Sequence, residues 1–206
     1  LNHLGIVPVV LEEERFSGHD LLWTGNVEAF RKLAERNLEA IRKSGAKKLI
    51  VSSPEDYYTL AVSYGEYFGG LDFEVRHITE LLVENLNHLK FREWKGAVTY
   101  HDPCYLGRYN GVYAAPRRVI EATGCKLVEM PRHGDRAFCC GAGGGRIWME
   151  EGTVKERPSE TRIREAVALD TAAVLVAACP KDITMFRDAV KTTGSESKIV
   201  VKDLIE

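Results

Sequence analysis

Short apolar runs and amphipathic segments alternate along the second half of the chain. Four runs of apolar and β-branched residues are typical of buried strands. They span residues 98–100, 126–130, 173–178 and 198–201. Three segments with helical spacing of apolar positions separate them. These lie near residues 117–122, at about 159–169 and from about 182 onward. Strands that alternate with helices predict the α/β class, with a mostly parallel sheet flanked by helices.

The first half follows the same order of elements. In the segment NVEAFRKLAERNLEAIRK, apolar residues recur at helical spacing from Val27 to Ile41. This pattern predicts a helix with one apolar stripe and a solvated charged face. The run LIVSS at 49–53 follows and is typical of a buried strand. We therefore expect the same fold class in both halves.

The two halves also match at a fixed offset. Adding 126 to residues 36–80 gives residues 162–206 without a gap, and the segments LIVSSPED and LVAACPKD correspond. Self-similarity of this kind indicates an internal duplication. It predicts two pseudo-repeated lobes, a first at residues 1–96 and a second at residues 97–206.

The same offset indicates what the first lobe lacks. Four cysteines of the second lobe have no cysteine at the corresponding position of the first. The corresponding positions are −22 for Cys104, Glu13 for Cys139, Glu14 for Cys140 and Ser53 for Cys179. We therefore expect a degenerate first copy. We also expect that the chain, which opens on Leu1 and shows no signal peptide, starts in the middle of a repeat with an upstream segment missing.

Composition and charge exclude several classes of partner. The 206 residues carry a formal net charge of −2, and 45% of them are hydrophobic. This is enough for a sizeable core, and it provides no basic footprint for nucleic acid or for a membrane surface. The apolar runs are shorter than the roughly 20 residues of a membrane span. We expect no nucleic-acid partner, and membrane contact only through another protein of the same complex.

The five cysteines favour metal ligation over disulfide bonding. An odd count with two adjacent cysteines is typical of thiolate ligands in a reducing compartment, so we expect a cytoplasmic protein. Cys104 and Cys179 each follow a predicted strand, at the edge where parallel sheets bind ligands. The pair Cys139 and Cys140 precedes a glycine-rich loop that could fold over that edge. Cys125 has no candidate ligand beside it and is typical of a small buried hydrophobic residue.

The adjacent pair indicates what such a site would hold. Neighbouring side chains diverge, so Cys139 and Cys140 suit two irons of a cluster better than one tetrahedral ion. The glycines that follow leave the backbone free to aim both sulfurs, and their amides can donate to sulfides or to an anionic substrate. They are Gly141, Gly143, Gly144 and Gly145. The loop has neither a P-loop ending nor the spacing of a dinucleotide fingerprint.

The segments HDPCYLGR, FCCGAGGGR and ACPKD together resemble the cysteine-rich CCG domain. This family includes the B and D subunits of heterodisulfide reductase, electron-transfer-flavoprotein:quinone oxidoreductases, and subunits of glycolate or lactate oxidase. The resemblance is strong over about residues 97–206, and residues 1–96 resemble a degenerate first copy.

The resemblance implies a cofactor, its ligands and a set of partners. The cofactor would be a noncubane 4Fe–4S cluster, which an aerobic preparation can lose. Its ligands would be Cys104, Cys139, Cys140 and Cys179. The role would be electron transfer or disulfide reduction as an oxidoreductase subunit that is not active alone. The partners would be a ferredoxin-like segment, a flavoprotein or a quinone-linked membrane cytochrome.

One position departs from the family pattern. Asp182 stands where the motif CxxC would place its second thiol. It is either a hard carboxylate ligand, which would make the cluster more labile, or the cap of a helix that begins at Ile183. The corresponding Asp56 in the first lobe, where no ligands remain, favours the cap. A chain with at most one cluster also favours electron relay over full heterodisulfide reduction.

Polar residues beside the ligand segments are candidates for supporting roles. His101 and Asp102 are candidates for moving a proton to a released thiolate, and Asp102 is equally a candidate for bonding loop amides. Arg108 and Arg146 follow the two ligand loops. They would either meet cluster charge or an anionic substrate, or form surface salt bridges.

Two other functions stay open at this point. The lost ligands of the first lobe and Asp182 favour a non-catalytic metal-binding or apo structural module of a larger redox complex, for which one zinc and no sulfide would be the signature. Adjacent thiols also suit a redox thiol enzyme, although a disulfide between neighbouring residues is strained.

Overall fold

The computed structural model describes residues 1–91, 94–150 and 152–206. The chain forms two compact units, Leu1–Lys90 and Phe91–Glu206. Each unit contains parallel strands flanked by helices, so the predicted α/β class is confirmed. None of the helices in the described ranges combines the length and apolar character of a membrane span.

The first unit contains a two-stranded parallel sheet. Its helices are α1 (His19–Trp23), α2 (Val27–Ser44), α3 (Pro54–Tyr58), α4 (Tyr64–Phe68) and α5 (Ile78–Glu84). Its strands are β1 (Lys48–Val51) and β2 (Glu74–His77). A π-helical turn, Thr59–Ser63, joins α3 to α4.

Helix α2 follows directly from its sequence pattern. The side chain of Asn26 accepts a hydrogen bond from the amide of Ala29 and caps the first turn, and Gly45 ends the helix in the left-handed conformation. The predicted apolar stripe is buried, with Phe30 and Leu38 in the core of the unit. Each such side chain contributes about 2 kcal/mol of burial free energy, so packing into this core holds the helix in place.

The second unit contains a four-stranded parallel sheet in the order β4-β3-β5-β6. Its strands are β3 (Ala97–His101), β4 (Lys126–Leu127), β5 (Val174–Ala177) and β6 (Val200–Asp203). Its helices are α6 (Ala114–Ala122), α7 (Pro158–Val167) and α8 (Pro180–Thr192). Leu175, Ile163 and Phe186 are completely buried in the core between the sheet and helices α7 and α8.

The offset of 126 residues reappears in the backbone. Lys48 pairs with Glu74 in the first unit, and Val174 pairs with Val200 in the second, which is the same register shifted by that offset. In both units a proline starts the helix after the first of these strands. This agreement supports the duplication, although common ancestry and the lobe boundaries stay predictions.

Several predicted boundaries in the second unit were wrong. The helix expected near 117–122 begins at Ala114, and the strand expected at 198–201 is β6, Val200–Asp203. The strand expected at 126–130 ends at Leu127. Beyond it, Glu129 accepts a hydrogen bond from Arg117 at 2.7 Å, and Met130 is buried in the core. The helix expected from about Asp182 already begins at Pro180. Proline is favoured at the first helical position because its fixed φ angle is helical and its missing N–H has no partner there anyway.

His77 is a buried histidine that the fold keeps neutral. Its Nδ1 accepts a hydrogen bond from the amide of Thr79 at 3.4 Å, so its Nε2 carries the proton and donates to the carbonyl of Ser52 at 3.2 Å. A second proton would have to bind to Nδ1, which faces the amide N–H of Thr79. Burial lowers the pKa of His77 from about 6.5 to about 4.

We therefore expect His77 to make the fold less stable in acid. Because the unfolded state takes up a proton near pH 6.5 and the folded state only near pH 4, the unfolding free energy falls as the pH drops through this window. The loss between pH 7 and pH 5 is about 2 kcal/mol. His77→Asn keeps an acceptor at the start of α5 but does not titrate, so its denaturant-unfolding curves should depend less on pH. The exposed His88→Asn is the control, and an equal pH slope in wild type and His77→Asn would contradict the assignment.

Candidate metal centre

Two strand ends of the second unit place cysteines at one edge of the sheet. Strands β3 and β5 are hydrogen-bonded neighbours in parallel, with His101 opposite Ala177 in the last pair. Cys104 comes three residues after β3, and Cys179 comes two residues after β5. Because parallel strands end at the same edge, both thiols are delivered to it, as the sequence predicts.

Cys179 also occupies the N-cap position of α8. It is 5% exposed, and α8 is a helix of 13 residues. The amides and the dipole at a helix N-terminus stabilise negative charge, so this position suits a metal-binding sulfur. The corresponding residue of the first unit, Ser53, is likewise an N-cap and accepts from the amide of Asp56 at 3.3 Å.

The adjacent pair is held by the backbone of the loop that follows it. The amide of Gly141 donates to Sγ of Cys139 at 3.3 Å, and the amide of Ala142 donates to Sγ of Cys140 at 3.4 Å. Gly141 has a φ of +88°, and a Cβ on it would lie 3.1 Å from Cγ of Pro158. Glycine is therefore required here both for the backbone angle and for the close approach to α7.

The thiols form a row of contacts. Cys104 and Cys140 each lie close enough to Cys139 to shift its pKa, and Asp182 lies within the same reach of Cys140. The two neighbouring thiols, acting as donors, hold the pKa of Cys139 well below its usual range, while the pKa values of Cys104 and Cys140 are raised. A row of soft sulfur donors with one thiolate already favoured suits a body larger than a single ion.

Asp182 belongs to this row and is not the cap of a helix. Because α8 begins at Pro180 with Cys179 as its N-cap, Asp182 is the third residue of the first turn, and the expected cap at Ile183 was wrong. Its side chain is buried, 3% exposed. One carboxylate oxygen lies 3.5 Å from Nε2 of His101.

Behind Asp182 lies a chain of buried polar groups. Arg162, which is completely buried, donates from Nε to Nδ1 of His101 at 3.1 Å and from a terminal nitrogen to Glu165 at 2.9 Å. Nδ1 of His101 is therefore an acceptor, and the proton is on Nε2, facing Asp182. Burial, followed by the charge of Arg162, lowers the pKa of His101 well below its usual value.

The segment that carries the thiols also matches a known protein domain. Residues 98–187 match the cysteine-rich domain named CCG. This range contains every cysteine of the row. This part of the chain is a CCG domain. Its matched residues run from β3 into α8, so the two neighbouring strands and their ligand loops lie inside the CCG domain.

Longer curated proteins resemble the whole chain. It is 37% identical over 211 residues to the probable iron-sulfur-binding oxidoreductase FadF of Bacillus subtilis, and 36% identical over 203 residues to the EtfAB:quinone oxidoreductase of Syntrophomonas wolfei. It is 39% identical over 219 residues to the D subunit of the dihydromethanophenazine:CoB–CoM heterodisulfide reductase of Methanosarcina barkeri. These matches include 100%, 94% and 100% of this chain, and they span 29%, 28% and 52% of the three relatives. The chain thus spans about half of their length or less.

Asp102 of the CCG domain holds loops together. Both of its oxygens accept from the guanidinium of Arg117, at 2.7 and 2.9 Å, and one also accepts from the amide of Gly134 at 2.7 Å. These bonds tie the end of β3 to α6 and to the turn that leads toward the cysteine pair. The geometry favours the loop-bonding interpretation of Asp102 over proton transfer.

The two candidate arginines bind backbone carbonyls. Arg108 donates to the carbonyl of Ala137 at 2.7 Å, just before the cysteine pair. Arg146 donates to the carbonyls of Met149 and Glu150 at 3.3 and 3.4 Å, just after the glycine loop. Both side chains therefore brace the segments that flank the pair, a role that the sequence does not reveal.

Sequence reasoning missed two buried groups, Tyr100 and Arg162. Tyr100 is 0% exposed, and its hydroxyl has no hydrogen-bond partner among the residues that the structure describes. Burial raises its pKa well above the usual value, with Asp102, Asp182 and Cys179 in electrostatic reach. A buried hydroxyl donor that lacks an acceptor, within electrostatic reach of Cys179, fits a site that receives an anionic group. The only sequence signal was its place beside the motif HDPC.

We expect the glycine loop to tolerate alanine unequally. Gly141→Ala and Gly144→Ala both place a Cβ at positive φ, which costs about 1–2 kcal/mol. Gly144 has nothing within 4 Å of such a Cβ, whereas Gly141 faces Pro158. Denaturant unfolding should therefore show Gly141→Ala to be less stable than Gly144→Ala by at least about 1 kcal/mol. Equal losses would contradict the close packing of the loop on α7.

Proposed function

We propose that this chain binds one noncubane 4Fe–4S cluster at the carboxyl edge of its second sheet and relays electrons through it within a larger oxidoreductase. The observation that carries the proposal is the row of thiols and one carboxylate at that edge. The supporting observations are the CCG match and relatives whose names describe iron–sulfur oxidoreductases.

The ligands would be Cys104, Cys139, Cys140 and Cys179. When bound, such a cluster supplies one-electron transfer at a potential set by its ligands, hydrogen bonds and burial. The protein's own groups prepare the sulfurs for that role. The amides of Gly141 and Ala142 already donate to the cysteine pair, and Cys179 lies at the N-terminus of α8, where the helix dipole stabilises negative charge. Hydrogen bonds of this kind stabilise the negative charge that a thiolate-ligated cluster carries.

Asp182 would be the fifth donor. It is one turn of helix from Cys179, it is buried, and it contacts Cys140. Arg162 fixes the ring of His101, so that its Nε2–H faces the carboxylate. Metal-bound carboxylates are commonly held by such an outer partner. His101 thus serves as a positioning residue for Asp182, in place of the proton carrier suggested by the sequence.

The names of the relatives suggest which electron-transfer partners this chain has. Their names describe a quinone oxidoreductase that acts with EtfAB and one subunit of a heterodisulfide reductase. We propose that a ferredoxin-like segment, a flavoprotein or a quinone-linked membrane cytochrome exchanges electrons with this chain. The protein would be cytoplasmic and would reach the membrane only through such a partner. Because one unit of the chain carries the whole thiol set, relay is favoured over reduction of a disulfide.

Anaerobic reconstitution tests the cofactor. With iron and sulfide, the chain should take up about four of each per molecule. Cys139→Ser should lose most of this uptake, because it removes the sulfur that contacts both Cys104 and Cys140. Cys125→Ser is the matched control, since Cys125 contacts Thr123 and lies outside the row. One zinc per chain without acid-labile sulfide would contradict the proposal and favour a non-catalytic metal-binding module.

Substitution of Asp182 tests the fifth donor. Asp182→Cys should slow the loss of iron in air, because it restores the soft thiolate of the family motif, and Asp182→Asn should accelerate it several-fold. The rate is followed by the decay of the visible charge-transfer absorption. Asp56→Asn, at the corresponding position of the first unit, should leave it unchanged. If Asp182→Asn also leaves the rate unchanged, the carboxylate does not bind iron.

A further inference from the structure

In the first unit, three side chains of types that commonly bind metals lie close together. Among the described residues, one imidazole nitrogen of His19 and one oxygen each of Asp20 and Glu55 lie within 4.8 Å of one another. His19 is 3% exposed and Glu55 is 6% exposed. Asp20 is only half-buried, so the group opens to solvent on one side.

The imidazole of His19 is fixed from behind. Its Nδ1 lies 3.0 Å from Oγ1 of Thr59, a completely buried hydroxyl at the start of the π-helical turn. The other nitrogen, Nε2, lies 3.6 Å from a carboxylate oxygen of Glu55. Metal-binding histidines are oriented in this way, with one nitrogen held by a polar group and the other directed at the ion.

The backbone brings these residues together from two elements. Gly18, with a φ of +87°, turns the chain so that His19 and Asp20 open α1. Glu55 is the second residue of α3, two residues after the N-cap Ser53, which follows β1. The group therefore lies at the carboxyl edge of β1, where α3 begins. This is the counterpart, within the first unit, of the edge at which Cys179 caps α8.

The donor atoms of this group suit a divalent transition-metal cation. Two carboxylates can supply two negative charges to one dication. The imidazole selects against magnesium and calcium, which take oxygen ligands, and favours first-row transition metals. Three protein ligands leave the remaining positions to water.

We propose that His19, Asp20 and Glu55 bind one divalent first-row transition-metal cation. This site is separate from the thiol row in its residues, its unit and the hardness of its ligands. It does not depend on the iron–sulfur proposal. The bound ion would link α1 to α3 and so stabilise the first unit.

Manganese(II) is the probe, because it prefers oxygen and nitrogen ligands to thiolates and so leaves the cysteines of the full chain unoccupied. Electron paramagnetic resonance follows the loss of the free-ion signal during titration. The expected result is one ion per chain and a rise in the thermal unfolding midpoint. The fluorescence of Trp23, whose ring centroid lies 6.0 Å from that of His19, should be quenched by the same equivalent.

Conservative variants locate the ion. Glu55→Gln and Asp20→Asn should each weaken binding at least about tenfold. Asp20 is half-buried, so its variant keeps the core intact even if Glu55→Gln proves unstable. Glu66→Gln, an exposed position on α4, is the matched control and should bind as wild type does. No binding at millimolar manganese, or binding that both ligand variants leave unchanged, would overturn the site.

Discussion

The register of β3 against β5 is the constraint on which the rest of the second unit depends. With His101 opposite Ala177, the two strands end level, and the loops that carry Cys104 and Cys179 start side by side. A slip of one residue would turn every side chain of a strand to the other face of the sheet. The same alignment places His101 within 3.5 Å of Asp182. The thiol row, the carboxylate and the positioning histidine thus share one geometric origin.

The buried charges beside the thiol row determine the protonation state of His101. Asp182 and Arg162 are both buried, and a buried charge without partners is costly. Arg162 is held by Glu165, and it fixes His101 in the neutral form that presents a proton to Asp182. In the first unit a histidine and two carboxylates occupy the corresponding edge. The same strand edge therefore gathers sulfur donors in one unit and nitrogen and oxygen donors in the other.

Periodicity and motif spacing were enough to predict the class of fold, the parallel sheet and the edge to which the cysteines are delivered. These features depend on local apolar patterns and on the rule that parallel strands end together. The start of α8 was missed because the sequence does not show whether Cys179 or Asp182 caps the helix. Arg162, Tyr100 and the group around His19 were missed for another reason. Their roles come from burial by residues distant in sequence, and no spacing pattern records that.

The most direct test is a crystal structure of the anaerobically prepared and reconstituted chain, with anomalous diffraction collected at the iron edge. The account predicts one compact group of iron peaks at the carboxyl ends of β3 and β5, within bonding distance of Sγ of Cys104, Cys139, Cys140 and Cys179. Iron located elsewhere, or sulfurs that face separate sides of the unit, would contradict it.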